Sequence, residues 1–183
     1  VPPILTSEIR HAISSVKNRR VPCPDRIRLE HLKNLPPVLV NTFARLFTHH
    51  LSECKAPTQW KTSKAVLLFM KGDLHDIGNY RPVWLLFFVY KLFARVILNR
   101  IDRTLDEGEP CEQAGFQKGF STMDHIYTIT RLIEVSREYK RPLCLTFIDL
   151  EKAFDSTEVE AVMVALGRQG VPTQYVKVLL ELY

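Results

Sequence analysis

Two aspartates near the C-terminus have the type and spacing of phosphoryl-transfer chemistry. The apolar run 143–148 predicts a short buried strand, and Asp149 follows it directly. A carboxylate at the tip of a buried strand can hold a hard divalent cation such as Mg²⁺, which stabilises charge on reacting phosphate oxygens. A carboxylate that hydrogen-bonds a nearby loop is the alternative. Asp155 begins the sequence Asp-Ser-Thr-Glu, which predicts the N-cap of a helix over residues 156–166.

A second block, Asn79-Tyr80-Arg81-Pro82, adds a candidate phosphate ligand. Apolar runs at 65–70 and 80–86 flank a polar stretch with two glycines, which predicts a β-hairpin. An arginine just after the turn can clamp a phosphate with its fixed fork of donors. A surface arginine on an edge strand is the alternative for Arg81.

A third block, residues 113–122, mixes glycine, aromatic and polar side chains. Gly115 and Gly119 allow a close approach of the backbone to a phosphate chain, and Phe116 could pack against a base or sugar. An ordinary loop that leads into a helix is the alternative. Ser121 and Asp124 have the spacing of a capping box for that helix.

Helical periodicity dominates the rest of the chain. A helix capped by Ser7 is predicted first, then a short one at 27–35 and a longer one that starts at Pro36-Pro37. Further helices are predicted at 88–105, from Ser121 to about Tyr139, and at 175–183. The sequence therefore predicts an α+β fold, with many helices, one hairpin and one further strand.

Charge and composition narrow the classes of function. A content of 46% hydrophobic and 25% charged residues is that of a globular protein. Residues 1–72 hold 12 Lys and Arg against 4 Asp and Glu, a net charge of +8, whereas residues 73–183 hold 13 against 16. A basic N-terminal part fits contact with nucleic-acid phosphates, although a solvated basic surface has the same composition.

The sequence disfavours a membrane protein, a disulfide-bonded protein and a metal site built from cysteine or histidine. No apolar stretch reaches the roughly 20 residues that span a bilayer, so no membrane association is expected. The four cysteines form no Cys-x-x-Cys pair and are expected to be free thiols in an intracellular protein, nuclear or cytoplasmic. The six histidines show no metal-binding spacing.

In this order and at these spacings, the three blocks resemble the reverse transcriptases of non-LTR (LINE-type) retrotransposons, and most of all their RTE-like group. The resemblance implies an incomplete right-hand polymerase fold, with fingers over residues 1–141 and the beginning of the palm over 142–183. It implies an RNA-directed DNA polymerase that uses Mg²⁺, dNTPs, an RNA template and a DNA primer. An endonuclease domain upstream of Val1 is usual in this family.

The resemblance also implies roles for single residues. Asp149 would be a metal-binding catalytic aspartate, and Leu150 would offer its backbone carbonyl to the second metal. Arg81 and Lys71 would contact the triphosphate, and Phe154 would lie under the sugar and favour deoxynucleotides. The template path would be lined by Gln113, Gly115, Phe116 and Lys118. For Phe154, a core phenylalanine is the alternative.

The sequence departs from the family at several positions. Met70 and Gln117 stand where relatives usually carry basic residues, and Trp84 and Phe87 stand where they usually carry small ones. The two bulky residues predict overpacking, and such departures suggest a decaying genomic copy. Val1 is not Met, and the chain stops inside a predicted helix, so both ends look cut.

One expected catalytic block is missing from these 183 residues. The palm of such a polymerase also needs an aromatic-x-Asp-Asp hairpin, and the chain has no Asp-Asp dipeptide. We expect this block to lie beyond Tyr183, so the 183-residue chain itself is predicted to be inactive. A non-catalytic RNA-binding relic, or a domesticated fingers domain, is the alternative function. A structural helical domain without a ligand is the third.

Overall fold

The computed structural model describes residues 1–16, 27, 29–108, 115, 119, 121–148, 150 and 156–183. These residues contain seven α-helices and one antiparallel hairpin. The helices are α1 (Thr6–Ser14), α2 (Leu29–Lys33), α3 (Pro37–Glu53), α4 (Phe88–Gly108), α5 (Thr122–Glu138), α6 (Val159–Arg168) and α7 (Thr173–Leu182). The strands are β1 (Ser63–Phe69) and β2 (Tyr80–Leu86), and the 3-10 helix Thr58–Lys61, here called the root helix, precedes β1.

The first helices begin where local hydrogen bonding favours them. Helix α1 starts at Thr6, so the predicted cap at Ser7 is wrong. The Leu5 backbone N–H instead donates to the Glu8 carboxylate at 2.7 Å, which satisfies an amide at the helix start. Helix α3 starts on Pro37, as the prolines predict, and ends at Cys54 in the left-handed conformation (φ 52°).

The hydrophobic core lies among α1, α3, α4 and α7. Helix α1 packs against α2, α3 and α4, and α7 packs against α3. The fully buried side chains include Ile9 of α1, Phe47 of α3, Phe93 and Ile97 of α4, and Val178 of α7. The apolar faces of α3 and α4 point into this core, since Val40, Leu51, Leu92, Val96 and Ile101 are all buried.

A charged cluster ties the N-terminus to this core. Arg100 of α4 makes a two-pronged contact with the Glu8 carboxylate, at 2.7 and 2.8 Å. The same guanidinium donates to the carbonyls of Pro2 and Pro3 at 2.8 and 2.7 Å. This hydrogen bonding lowers the pKa of Glu8 and raises that of Arg100. The residues before α1 are therefore part of the packed structure.

Helix α7 closes the core from the C-terminal side. Gln174 donates from its side chain to the Leu51 carbonyl at 2.8 Å, and Lys61 pairs with Glu181 at 2.8 Å. The boundary between fingers and palm after residue 141 stays a prediction. In the structure, α7 packs against a helix that precedes that boundary.

The predicted strand over residues 143–148 is wrong. These residues have no regular secondary structure, and Phe147 and Ile148 are 79% and 82% exposed. A strand needs a neighbour to pair with its backbone N–H and C=O groups. Among the described residues the sheet contains β1 and β2 alone, so this segment has no such neighbour.

Helix α5 forms as predicted but remains uncovered. Its capping box is confirmed, because Ser121 donates from both backbone and side chain to the Asp124 carboxylate at 2.7 Å. No residue of α5 is buried, and Ile126, Leu132 and Tyr127 are exposed. The helix predicted to start at residue 156 starts at Val159, with Glu158 as its N-cap. Asp155, the predicted cap, lies outside the described residues.

The fold class is confirmed in its coarse form. The described residues are mostly helical with a two-stranded antiparallel sheet, as expected for fingers with a short hairpin. The first palm strand is the part that the structure lacks in its described residues. None of the helices among these residues is both long and apolar enough to cross a membrane.

Candidate active site

The predicted hairpin forms and presents Arg81 to solvent. Strands β1 and β2 pair from Ser63↔Leu86 to Phe69↔Tyr80, with Arg81 opposite Leu68. Arg81 therefore lies one pair from the outer end of the ladder, and its side chain is exposed. An exposed guanidinium at the end of a hairpin is accessible to a phosphate ligand.

The loop at the hairpin tip, residues 70–79, is held by its own side chains. Gly72 has φ 101°, and a Cβ there would lie 2.7 Å from the Asn79 side chain. The Asn79 amide donates to the Asp73 carbonyl at 3.0 Å, and the Tyr80 hydroxyl donates to the Leu74 carbonyl at 2.9 Å. The first two residues of the Asn-Tyr-Arg-Pro block thus shape the loop, while the Arg81 side chain is exposed.

The acidic residues of the tip loop are engaged within it. Asp73 accepts from the His75 backbone N–H at 2.9 Å, and Asp76 accepts from that of Gly78 at 2.8 Å. These are local turn motifs that fix the loop conformation. Lys71 lies between Met70 and Gly72, and its side chain is exposed. The two predicted triphosphate contacts therefore belong to one ordered, solvent-accessible hairpin end.

The hairpin has apolar side chains on both faces. Val66, Leu68 and Val83 share the face of Arg81, and all are substantially exposed. Leu67, Phe69 and Trp84 lie on the opposite face; Phe69 packs on Tyr80 with ring centroids 5.4 Å apart. Trp84 is 59% exposed, so the overpacking predicted there is wrong.

Most of the other predicted site residues lie outside the described residues. These are Asp149, Phe154, Gln113, Phe116 and Lys118, whose roles stay predictions. Gly115 is an exposed turn residue, and Leu150 is exposed next to the Asp149 position. The predicted cleft shared by Asp149, Phe154 and Arg81 is likewise a prediction.

No metal cluster of three or more His, Cys, Asp or Glu side chains occurs in the part of the chain that the structure describes. The donors proposed from the sequence are one carboxylate, from Asp149, and one backbone carbonyl, from Leu150. Both are hard oxygen ligands of the kind Mg²⁺ prefers. Their chemistry fits the ion, but two donors from this chain are too few to hold it alone.

Two structural features of the site were not predicted. The first is the role of Asn79 and Tyr80 in closing the tip loop. Gly72, seven residues before the Asn79-Tyr80 pair, was the available signal, since glycine permits positive φ. The second is the attachment of the hairpin to the core through Trp60, for which the sequence gives only an isolated aromatic residue between two turns.

Comparisons with known proteins agree with the resemblance. The family described as "Reverse transcriptase (RNA-dependent DNA polymerase)" matches residues 69–183, more than half of the chain. The match begins in β1 and includes the whole Arg81 block.

Relatives from mobile elements extend the similarity to the N-terminal helices. The chain is 30% identical over 158 residues to "Probable RNA-directed DNA polymerase from transposon BS" of Drosophila melanogaster, covering 85% of this chain and 17% of that protein. It is 28% identical over 181 residues to the "Transposon TX1 uncharacterized 149 kDa protein" of Xenopus laevis, covering 99% and 14%. A third relative is the "Retrovirus-related Pol polyprotein from type-1 retrotransposable element R2" of Popillia japonica, 26% identical over 169 residues, covering 92% and 23%.

The chain thus spans about a sixth of the length of the first two relatives. The resemblance to non-LTR retrotransposon polymerases is confirmed, while the narrower placement in the RTE-like group stays a prediction. Since a family profile covers most of the chain and the three sequence blocks occur in order, the chain belongs to the reverse transcriptase (RNA-dependent DNA polymerase) family.

Proposed function

We propose that this chain is the nucleotide-gripping part of an RNA-directed DNA polymerase that extends a DNA primer on an RNA template. The observation that carries the proposal is the family match over residues 69–183, which includes the outer end of the hairpin, where Arg81 and Lys71 are exposed. The activity belongs to a longer protein that supplies the second carboxylate block of the palm.

Arg81 and Lys71 would bind the triphosphate of the incoming dNTP. The guanidinium offers several N–H donors in a plane and stays charged at any physiological pH, and the ammonium adds a second positive charge. The hydrogen bond from the Asn79 side chain to the Asp73 carbonyl holds the tip loop, so both cations start from a fixed backbone. Preorganised cations of this kind stabilise charge that develops on a transferring phosphoryl group.

Asp149 and the Leu150 carbonyl would contribute to holding Mg²⁺, with the remaining ligands supplied by substrate and by the absent carboxylate block. When bound, the ion neutralises charge on the phosphate oxygens. Phe154 would pack under the sugar and exclude a 2′-hydroxyl. Gln113, Gly115, Phe116 and Lys118 would line the template path.

The test is primer extension on an RNA template by a longer protein that contains this chain and an aromatic-x-Asp-Asp block. Asp149→Asn should abolish extension, because it removes the metal carboxylate. Arg81→Ala should raise the KM for dNTP by about 10- to 100-fold, since a charge-assisted contact contributes about 1.5–3 kcal/mol. Arg103→Ala is the matched control, since Arg103 is an exposed arginine whose partner is Glu107 of the same helix. Extension by Asp149→Asn at the wild-type rate would refute the proposal.

The 183-residue chain itself should show no primer extension with Mg²⁺ and dNTPs. It has one aspartate of the expected metal site and no Asp-Asp dipeptide. Extension above the level of its Asp149→Asn variant would contradict this prediction.

RNA binding without catalysis is a second candidate, favoured by the basic N-terminal part. Arg10 of α1 and Lys33 of α2 line one pocket of about 320 Å³ beside Val40 of α3. Phosphate contact predicts weak binding of single-stranded RNA whose log affinity falls with log salt concentration. A titration of the 183-residue chain at several salt concentrations tests this. An affinity that does not depend on salt would exclude it.

A further inference from the structure

We propose that Trp60 is a positioning residue for nucleotide binding, because it fixes the base of the hairpin that carries Arg81. The inference rests on the proposed function of Arg81 as a triphosphate ligand. Trp60 lies in the root helix, three residues before β1 begins at Ser63.

Trp60 lies in an aromatic cluster formed by two core helices. Its ring centroid is 4.9 Å from that of His50 and 5.9 Å from that of Phe47, both on α3. It is also 5.6 Å from the ring of Phe93 on α4. Phe47 and Phe93 are fully buried and lie 5.0 Å apart. The indole is therefore packed against two fully buried residues of the core.

Both ends of the hairpin converge on this cluster. The root helix leads into β1, while β2 ends at Leu86, two residues before α4 begins at the buried Phe88. Ser63 pairs with Leu86 at the inner end of the ladder. The contact between Trp60 and Phe93 thus joins the segment that enters the hairpin to the helix that leaves it.

Helix α7 braces the root helix from a second side. Lys61, next to Trp60, forms its ion pair with Glu181 of α7. Exposed pairs of this kind contribute only about 0.2–1 kcal/mol, so the ion pair is secondary to the aromatic packing. It does place α7 in contact with the hairpin base.

A small rotation at the base would produce a large displacement at Arg81. Arg81 lies five residue pairs from Ser63↔Leu86, which is about 17 Å along an antiparallel strand. A rotation of about 10° at the base then moves Arg81 by about 3 Å, comparable to the length of a hydrogen bond. A displacement of that size takes the guanidinium out of hydrogen-bond reach of a phosphate, so an anchored base matters for binding.

The kinetic test uses the same polymerase-competent protein. Trp60→Leu should raise the KM for dNTP about tenfold while kcat at saturating dNTP falls less than about threefold, because saturation by nucleotide selects the productive hairpin orientation. Trp60→Phe, which keeps an aromatic ring, should restore a KM close to that of the wild type. Val40→Ala is the stability control, since Val40 is buried beside α1 and α2 and not in the aromatic cluster.

A distance measurement on the 183-residue chain separates this inference from the proposed function. The four native cysteines are replaced by alanine, and spin labels are attached at the exposed positions 74 and 103. The distance between the labels then reports the position of the tip loop relative to α4. The wild-type Trp60 chain and Trp60→Phe should give one narrow distance distribution, and Trp60→Leu a broad one at temperatures below unfolding. A narrow distribution in Trp60→Leu, or an equal rise in KM for Val40→Ala, would overturn the inference. A broad distribution with no effect of Arg81→Ala on KM would instead refute the proposed role of Arg81.

Discussion

The helical core and the uncovered segments have similar sequence patterns but opposite environments. Helix α4 and helix α5 both carry apolar residues at helical spacing, and α4 buries Leu92, Phe93 and Ile97 whereas α5 buries nothing. The 143–148 segment, as apolar as β2, is exposed and pairs with no strand among the described residues. An apolar pattern therefore identifies the face that can be buried, but burial requires a second element that packs against that face.

The difference follows from what each element contacts. Helices α1, α3, α4 and α7 cover one another, so each apolar side chain leaves water on folding and contributes about 25 cal/mol per Å² of buried apolar surface. No apolar residue of α5 is buried, and Ile126 and Leu132 are exposed, so the helix depends mainly on its own backbone hydrogen bonds and capping box. In folded proteins most of the stability of a helix comes from packing of its apolar face rather than from its own hydrogen bonds. The two regions should therefore respond very differently to the same kind of substitution.

The largest effect is expected for truncation of a core aromatic. Phe93→Ala should lower the free energy of unfolding by about 3–5 kcal/mol, because it leaves a cavity among Phe47, Trp60 and α4. Leu132→Ala in α5 should change it by less than about 0.5 kcal/mol, since this side chain is exposed and alanine favours helix. Urea titration measures both, and equal losses would remove the distinction between the two regions.

Two arginines sharpen the same comparison for ion pairs. Arg100 is only 10% exposed and contacts Glu8 and two carbonyls, whereas Arg131 contacts Glu134 on the surface of α5. Arg100→Met should cost about 2–3 kcal/mol, because charged hydrogen bonds are lost and Glu8 is left without its partner. Arg131→Met should cost less than about 0.5 kcal/mol. Thermal melting of the two variants at pH 7 provides the measurement. Equal melting temperatures would contradict the larger contribution expected from Arg100.

Sequence reasoning predicted the local features of both regions. It predicted the hairpin at residues 65–86, the helix after Pro36-Pro37 and the Ser121–Asp124 capping box, because turn and cap chemistry depends on neighbours in the chain. It did not predict the Arg100–Glu8 contact or the Trp60 cluster, whose partners are far apart in sequence. The strand at 143–148 was predicted from an apolar run alone, and a strand also requires a paired neighbour.

The candidate site also combines features that the sequence predicted with features that it did not. Arg81 and Lys71 were identified from the turn and from the family resemblance, and the hairpin that presents them is confirmed. The roles of Asn79 and Gly72 depend on a contact across the tip loop, which residue types do not specify.

Stability is expected to depend on pH through the carboxylate of Glu8, which contacts Arg100. The hydrogen bonds from Arg100 lower the pKa of Glu8 in the folded chain below its ordinary value of 4.5. The stability contribution is therefore fully present above about pH 4.5 and is lost as pH falls through the folded pKa. Glu8→Gln should remove this part of the acid dependence, and melting curves between pH 6 and pH 3 measure it. An unchanged slope in Glu8→Gln would contradict the assignment.

A smaller pH effect of the same sign is expected from a histidine next to Trp60. Burial, with His49 adding repulsion, lowers the pKa of His50, whose Nδ1 is buried without a partner. Glu53 and the Lys55 backbone oppose the shift. The unfolded chain binds this proton first, so stability should fall as pH drops below about 6.5. His50→Gln should make the melting temperature nearly independent of pH between 6.5 and 5. His49→Gln, at an exposed position, is the control and should change this pH dependence less. Equal slopes in the two variants would exclude His50 as the source.

Hydrogen exchange of backbone amides tests the division between the two regions most directly. In the 183-residue chain under native conditions, the central amides of α3 and α4 should exchange only with global unfolding, so their opening free energies should equal the free energy of unfolding. The central amides of α5 should open with a free energy at least about 2 kcal/mol lower, because α5 buries none of its residues in the described part of the chain. Protection in α5 equal to that in α4 would contradict the account.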